Sequence, residues 1–127
     1  AYDISLGLVG SEMCIRDRAN SDQKTVAHLV KLGLLAPDES GYFTADDVAV
    51  VQSVEALRAF GLDDRQFKSL RNNARRQADL ISQVTSPVAN SKSDTAKLRA
   101  EEMSQQMTAL VVSLHATLVK TDLRKEF

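Results

Sequence analysis

Two long stretches of this sequence space their apolar residues by three and four positions, which is the period of an α-helix. The first begins at Asp63, which can cap a helix N-terminus, and runs to about Ser86, where Pro87 is expected to end it. The second runs from a cap at Asp94 to about Thr121. Because only a short polar connection joins them, the two helices should form a long antiparallel hairpin.

Both helices carry more apolar surface than a single hairpin can bury. Surplus apolar area and flexible methionines suit a face that packs against a partner. We therefore predict a homodimer through these helices, although packing within the monomer is the commoner role of any single residue in the set. The proposed partner face consists of Phe67, Leu70, Ile81 and Val84 on the first helix and Met103, Met107, Leu110 and Leu114 on the second.

The residues before Asp63 predict two shorter helices separated by a turn. The first is capped at positions 21–22 and ends at Gly33, where a left-handed residue can close a helix. The intervening "LLAPDESGYF" has the composition of a tight turn between short extended pieces. Thr44 and Asp47 have the spacing of a capping box, and Gly61 ends the helix that they start. The buried stripe of that helix is expected to be Val48, Val51, Val54, Leu57 and Phe60.

The first 18 residues differ from the rest. "LVGSEMCIRDR" shows neither a helical nor a strand period, and its apolar residues precede Arg16 and Arg18, the reverse of a secretory signal. The codons of Leu8 to Asp17 can be written as CTC GTG GGC TCG GAG ATG TGT ATA AGA GAC, which resembles a translated transposase-type sequencing adapter. We therefore expect residues 1–18 to be a non-native, disordered segment. Residues 19–127 should form a single helical domain, the truncated C-terminal part of a larger protein.

The composition of residues 19–127 limits the classes of partner. Acidic and basic residues are equal in number, so no net field draws the domain to nucleic acid or to an acidic membrane. The one cysteine of the chain, Cys14, lies in the adapter-like segment. No apolar run approaches the roughly 20 residues that span a bilayer. We expect a soluble, cytoplasmic protein without a membrane partner.

The sequence gives no sign of catalysis. His28 and His115 are the only histidines, and neither has a second ligand at the offsets that zinc sites use. The pairs Asp46–Asp47 and Asp63–Asp64 fall in first helical turns, where the helix dipole favours negative charge. No glycine-rich loop could hold a phosphate. We therefore expect no enzymatic activity, no metal and no cofactor.

Residues 25–70 resemble the helix, wing and helix pair of MerR-type transcription regulators. The shared steps, in order, are Gly33-Leu34-Leu35, Gly41-Tyr42, Asp47-Val48, Leu57-Arg58 and Gly61-Leu62. Residues 20–124 as a whole are similar to the C-terminal half of the actinobacterial MerR-type regulators that activate cell-division genes. In those proteins a second, winged-helix-like domain follows the DNA-binding one. The resemblance implies a mainly α-helical fold, in which a degenerate winged helix precedes the hairpin.

Three positions depart from the DNA-reading pattern of that family. A DNA-reading helix carries arginine and tyrosine where this chain has Ala27 and Leu29, and the wing carries arginine where this chain has Phe43. Arginine makes paired hydrogen bonds to phosphate or guanine, whereas alanine and leucine make none. The resemblance therefore implies a dimerisation or effector-sensing domain. It would reach DNA only through a missing N-terminal helix-turn-helix domain and could respond to a small-molecule or protein effector.

The alternative is a self-sufficient winged-helix module that contacts DNA phosphates. Three of its cations would share one helix face and form a stripe about two and a half turns long. The neutral net charge and the lack of interleaved aromatic residues favour an ordinary solvated face instead. The residues that would contact phosphate are Lys31, Tyr42, Arg65, Lys68 and Arg75.

Deletion of residues 1–18 should leave the thermal unfolding midpoint nearly unchanged, because no cap or apolar stripe ties this segment to the core. Circular dichroism on the full chain and on the shortened chain makes the comparison. A midpoint lower by several degrees would mean that the segment has been recruited into the fold.

Overall fold

The computed structural model describes residues 8–10 and residues 23–127. Within these ranges the protein is mainly helical, as predicted, with four helices and two very short strands. The elements are β1 (Leu8–Gly10), α1 (Gln23–Lys31), β2 (Phe43–Thr44), α2 (Ala45–Ala59), α3 (Asp64–Ala89) and α4 (Ala96–Glu126). No helix in the described part of the chain has both the length and the apolarity that a membrane span requires.

The chain divides into two compact units, and the boundary between Asn72 and Asn73 falls inside α3. The first unit contains β1, α1, β2, α2 and the start of α3. The second contains the rest of α3 and all of α4. A single domain over residues 19–127 stays a prediction, because cooperative unfolding rather than spatial division would establish it.

One apolar cluster holds the first unit together. Side chains from α1, the following turn, α2 and α3 are almost fully excluded from solvent in it. The predicted stripe of α2 is confirmed at Val51 and Val54, but Phe60 is 85% exposed. Phe60 is the C-cap residue, so its side chain leaves the buried face where the helix ends. The buried members of the cluster are Val26, Leu29, Leu35, Phe43, Val51, Val54 and Phe67.

Local hydrogen bonds define the helix ends of the first unit as the sequence predicts. The Asp47 amide donates to Thr44 Oγ1 over 3.2 Å, and the Thr44 amide donates to the Asp47 carboxylate over 2.9 Å. Gln66 and Asp63 exchange the same kind of reciprocal bonds at the start of α3. Gly33, with φ of 82°, adopts the left-handed conformation that closes α1.

The turn between α1 and α2 is organised by Asp38. Its Oδ1 accepts hydrogen bonds from the amides of Ser40 and Tyr42, both at 2.9 Å. The chain then enters β2, which pairs antiparallel with β1 and places Leu8 opposite Thr44. No strand was expected at β1, so this pairing is a finding that the sequence analysis missed. Residues 1–7 and 11–18, the rest of the adapter-like segment, lie outside the described residues.

The predicted ends of the two long helices were wrong. Helix α3 continues past Pro87 to Ala89, because the φ that proline fixes suits a helix and only the bond of its missing N–H is lost. Helix α4 begins after Thr95, not after the predicted cap Asp94, and continues five residues beyond Thr121. No side chain caps its first turn.

The second unit has almost no core of its own. The only residues of this unit that are buried from solvent are Thr85, Ala96 and Ala100. None of them has a large apolar side chain. The large apolar side chains of α3 and α4 in this unit remain partly or mostly exposed. Those with at least two-fifths of their surface exposed are Leu80, Val84, Leu98, Leu110, Val112, Leu114, Leu118, Val119, Leu123 and Phe127.

Candidate partner and ligand surfaces

Two of the three positions that differ from the DNA-reading pattern in the resemblance to MerR-type regulators hold core residues. Leu29 is 0% exposed and Phe43 is 2% exposed, and both belong to the apolar cluster of the first unit. Ala27 is exposed but offers only a methyl group. Two of the three departures from the DNA-reading pattern therefore support the fold rather than a nucleic-acid surface.

The five residues of the phosphate-contact hypothesis lie on three elements. Lys31 ends α1, Tyr42 lies half-buried in the turn before β2, and the others lie on α3. Arg65 and Lys68 are exposed in the first unit, whereas Arg75 lies beyond the unit boundary. The four cations of the set form no ion pair or side-chain hydrogen bond among the described residues, as expected for a solvated face.

An ion-pair cluster joins the three helices of the first unit. Asp64, on α3, accepts a hydrogen bond from Arg58 Nη2 at 2.8 Å and contacts His28 Nε2 at 2.7 Å. The Arg58 guanidinium also lies 5.2 Å from the centre of the Phe67 ring. The hydrogen bond from Arg58, and then that from His28, lower the pKa of Asp64 below its ordinary value of 3.8. The sequence analysis missed this cluster, because His28 and Asp64 are 36 residues apart.

The residues of the predicted partner face are in different environments. Phe67 is 1% exposed within the first unit's core, so it is not accessible to a partner. Leu110 and Leu114 are 70% and 60% exposed, and Leu70 and Val84 are nearly half exposed. Met103 and Met107 are half-buried on the same flank of α4 as the two leucines. Leu80 and Leu118, which are not members of the predicted partner face, are also more than half exposed.

A groove of about 430 Å³ lies between α3 and α4 in the second unit. Its walls are small or β-branched residues, and no Asp, Glu, Lys or Arg lines it. Ile81, predicted on the partner face, lines this groove instead. The sequence signal that could have revealed the groove is the spacing of Ala74, Ala78 and Ser82 by four residues. The lining residues are Ala74, Gln77, Ala78, Ile81, Ser82, Thr85, Ser104, Thr108, Val111 and Val112.

The polar groups of the groove are mostly engaged in hydrogen bonds. Thr85 Oγ1 donates to the carbonyl of Ile81, and Thr108 Oγ1 donates to the carbonyl of Ser104. Gln77 Nε2 lies 3.3 Å from His115 Nδ1. Across the residues that the structure describes, no group of three or more His, Cys, Asp or Glu side chains could hold a metal ion.

Comparison with known proteins identifies the class of the chain. The model of the Rv1828-like C-terminal domain matches residues 11–127. The chain belongs to this family. The match begins inside the segment that we expect to be adapter-derived, and the origin of that segment stays a prediction.

Two mycobacterial proteins are similar to this chain. They are the HTH-type transcriptional regulators Rv1828 of Mycobacterium tuberculosis and Mb1859 of Mycobacterium bovis. Each is 28% identical over 123 residues, which cover 94% of this chain and 50% of the relative. The chain therefore spans about half the length of these relatives. Both belong by name to a class of protein, transcription regulators, that generally acts without catalysis.

Replacing Asp64 by asparagine should make stability less sensitive to acid. Because the folded-state pKa of Asp64 is lowered, its stabilising effect is present above the unfolded pKa of about 3.9 and is lost as pH falls through the folded value. The unfolding midpoint of the wild type should therefore fall more steeply below about pH 5 than that of Asp64→Asn.

The matched control is Asp79→Asn, because Asp79 is exposed on the same helix and makes no ion pair within the described part of the chain. It should retain the pH dependence of the wild type. Equal slopes for all three proteins, measured by thermal denaturation between about pH 3 and pH 6, would contradict a stabilising role for the cluster.

Proposed function

We propose that this chain is the C-terminal dimerisation and effector-sensing domain of a MerR-type transcriptional regulator, similar to the actinobacterial activators of cell-division genes. DNA would be bound by an N-terminal helix-turn-helix domain outside this sequence. Membership of the Rv1828-like C-terminal family and the names of the relatives support the regulator role. The coverage of only half of each relative leaves room for a separate DNA-binding part.

The burial of Leu29 and Phe43 is the observation that carries this proposal. A residue that fills the core cannot also extend into a DNA groove, and replacing it by arginine would place a charge in the cluster. The order of α1, the Asp38 turn, β2 and α2 supports a degenerate winged helix. We infer that the winged-helix architecture has kept its packing while its DNA-contacting residues have been replaced.

The second unit supports the dimerisation role. Gln77 of α3 lies near His115 of α4, and Ala89, at the end of α3, lines one hollow with Lys97, at the start of α4. Residues later in α3 therefore lie near residues earlier in α4, as in an antiparallel hairpin. In α4, residues 103–119 contain no charged side chain although most of them are exposed. A helix that is apolar on more than one flank is normally covered on more than one side.

A second copy of the chain suits this surface better than an unlike partner. In a twofold dimer the same surface patch meets itself, so like charges within it would repel each other. Residues 103–119 contain no Asp, Glu, Lys or Arg and so avoid that repulsion, and the charged residues that border them along α4 are Glu102 and Lys120. Dimerisation here would set the distance between two DNA-binding domains, and a bound effector would change that distance.

The isolated chain should bind duplex DNA only weakly and without sequence preference. We expect dissociation constants of roughly 10⁻⁴ to 10⁻⁶ M at physiological salt, because Ala27, Leu29 and Phe43 offer no hydrogen bonds to bases. The measurement is a mobility-shift assay on a random-sequence duplex pool with unlabelled genomic DNA as competitor.

The alternative module predicts a different result in the same assay. Nanomolar binding to a selected sequence that falls in an Arg65→Gln, Lys68→Gln double variant would favour the DNA-binding alternative and contradict our proposal. Lys92→Gln is the matched control, because Lys92 is an exposed cation in the connection between α3 and α4. It should have no more effect than the loss of one surface charge.

A further inference from the structure

The groove between α3 and α4 and the exposed leucines Leu110 and Leu114 lie on different flanks of α4. In α4, the groove is lined by Thr108, Val111 and Val112, whereas Leu110 and Leu114 do not line it and lie on a different flank. In α3, Ala78 and Ser82 line the groove, whereas Leu80 and Val84 do not line it and lie on a different flank of the helix. A dimer that buried the leucine flank would therefore leave the groove open.

The groove exists because most of the side chains that line it are small. The helices place alanine, serine and threonine where they face each other and direct leucine away from the contact. A volume of about 430 Å³ lies within the range of about 300–1,000 Å³ that is typical of small-molecule sites. Large side chains in these positions would have filled it.

The lining determines which class of molecule the groove can accept. A charged ligand would lose its hydration without gaining a counter-charge, because no ionisable side chain lines the groove. Lys97 and Glu101 line a separate hollow that shares Thr85 and Ser104 with the groove. Aliphatic contacts come from Ile81, Val111 and Val112. These features match an uncharged, mainly apolar molecule.

Few polar groups are available to orient such a molecule. The hydroxyls of Thr85 and Thr108 already donate to backbone carbonyls. The Ser104 hydroxyl has no side-chain hydrogen-bond partner among the described residues, and the Gln77 amide retains bonding capacity beyond its contact with His115. A small number of polar groups in an apolar lining is the usual composition of a ligand site.

We propose that this groove is the effector site of the domain and that it binds an uncharged, mainly apolar small molecule bearing one or two hydrogen-bonding groups. The inference rests on the effector-sensing part of the proposed function and requires no contribution from a second copy. Binding would change the separation of α3 and α4, because both helices supply walls of the same groove.

Titration of the full chain with N-phenylnaphthylamine, a neutral fluorophore that brightens in apolar surroundings, tests the proposal. We expect saturable binding of one molecule per chain. Ala78→Leu and Ser82→Leu should each weaken binding about tenfold or more, because the added side chain fills the groove. Both positions are exposed, so neither change disturbs a core. Gln83→Leu adds the same side chain on the far side of α3 and should bind like the wild type.

A charged analogue tests the ligand class. Anilinonaphthalene sulfonate has nearly the same aromatic body but carries an anion, and it should bind the groove about tenfold more weakly or worse. The proposal would be overturned if the fluorescence rose without saturation, or if Ala78→Leu and Ser82→Leu bound the fluorophore as tightly as the wild type. Equal binding of the two fluorophores would also overturn it.

Sedimentation of the same variants separates this inference from the dimer hypothesis. If Ala78→Leu dissociates a dimer and leaves fluorophore binding unchanged, a second copy occupies the groove and the ligand proposal is overturned. If the wild type is monomeric but binds the fluorophore in the predicted order, the groove site stands and the proposed dimerisation fails.

Discussion

The fold of the first unit depends on the shared core of Leu29, Phe43 and Phe67. These residues come from α1, β2 and α3, so their burial connects elements that are distant in sequence. Two of the three, Leu29 and Phe43, stand at positions where the resemblance to MerR-type regulators would place residues that contact DNA. The Asp64 cluster joins the same helices at the surface through His28 and Arg58. This packing supports our proposal that the unit does not itself read bases.

The second unit differs from the first because its two helices bury almost no large apolar side chains. Stability of a helix comes mainly from burial of its apolar face, and a 31-residue helix with its leucines exposed has little of that stabilisation. Two different surfaces result. We propose that the leucine flank of α4 packs against a second copy and that the groove beside Ala78 binds a small neutral molecule. A regulator domain needs both properties if a ligand is to alter the geometry of a dimer.

Local signals in the sequence predicted local structure well. The capping box of Thr44 and Asp47 and the closure of α1 at Gly33 depend on residues only a few positions apart. Features that depend on distant residues were missed, including the Asp64 cluster and the groove. The end of α3 was misjudged for another reason. Pro87 removes one hydrogen bond but does not prevent the following residues from completing the last turn.

The central claim is that a second copy covers the exposed leucine flank of α4, and sedimentation equilibrium of the 127-residue chain tests it most directly. The account predicts a wild-type dimer at micromolar concentration and monomeric Leu110→Asp and Leu114→Asp variants that remain helical by circular dichroism. Ser113→Asp, which adds the same charge on the polar side of α4, should remain dimeric. A wild type that stays monomeric at high micromolar concentration, together with unfolding of Leu110→Asp, would show that the flank is core and would contradict the account.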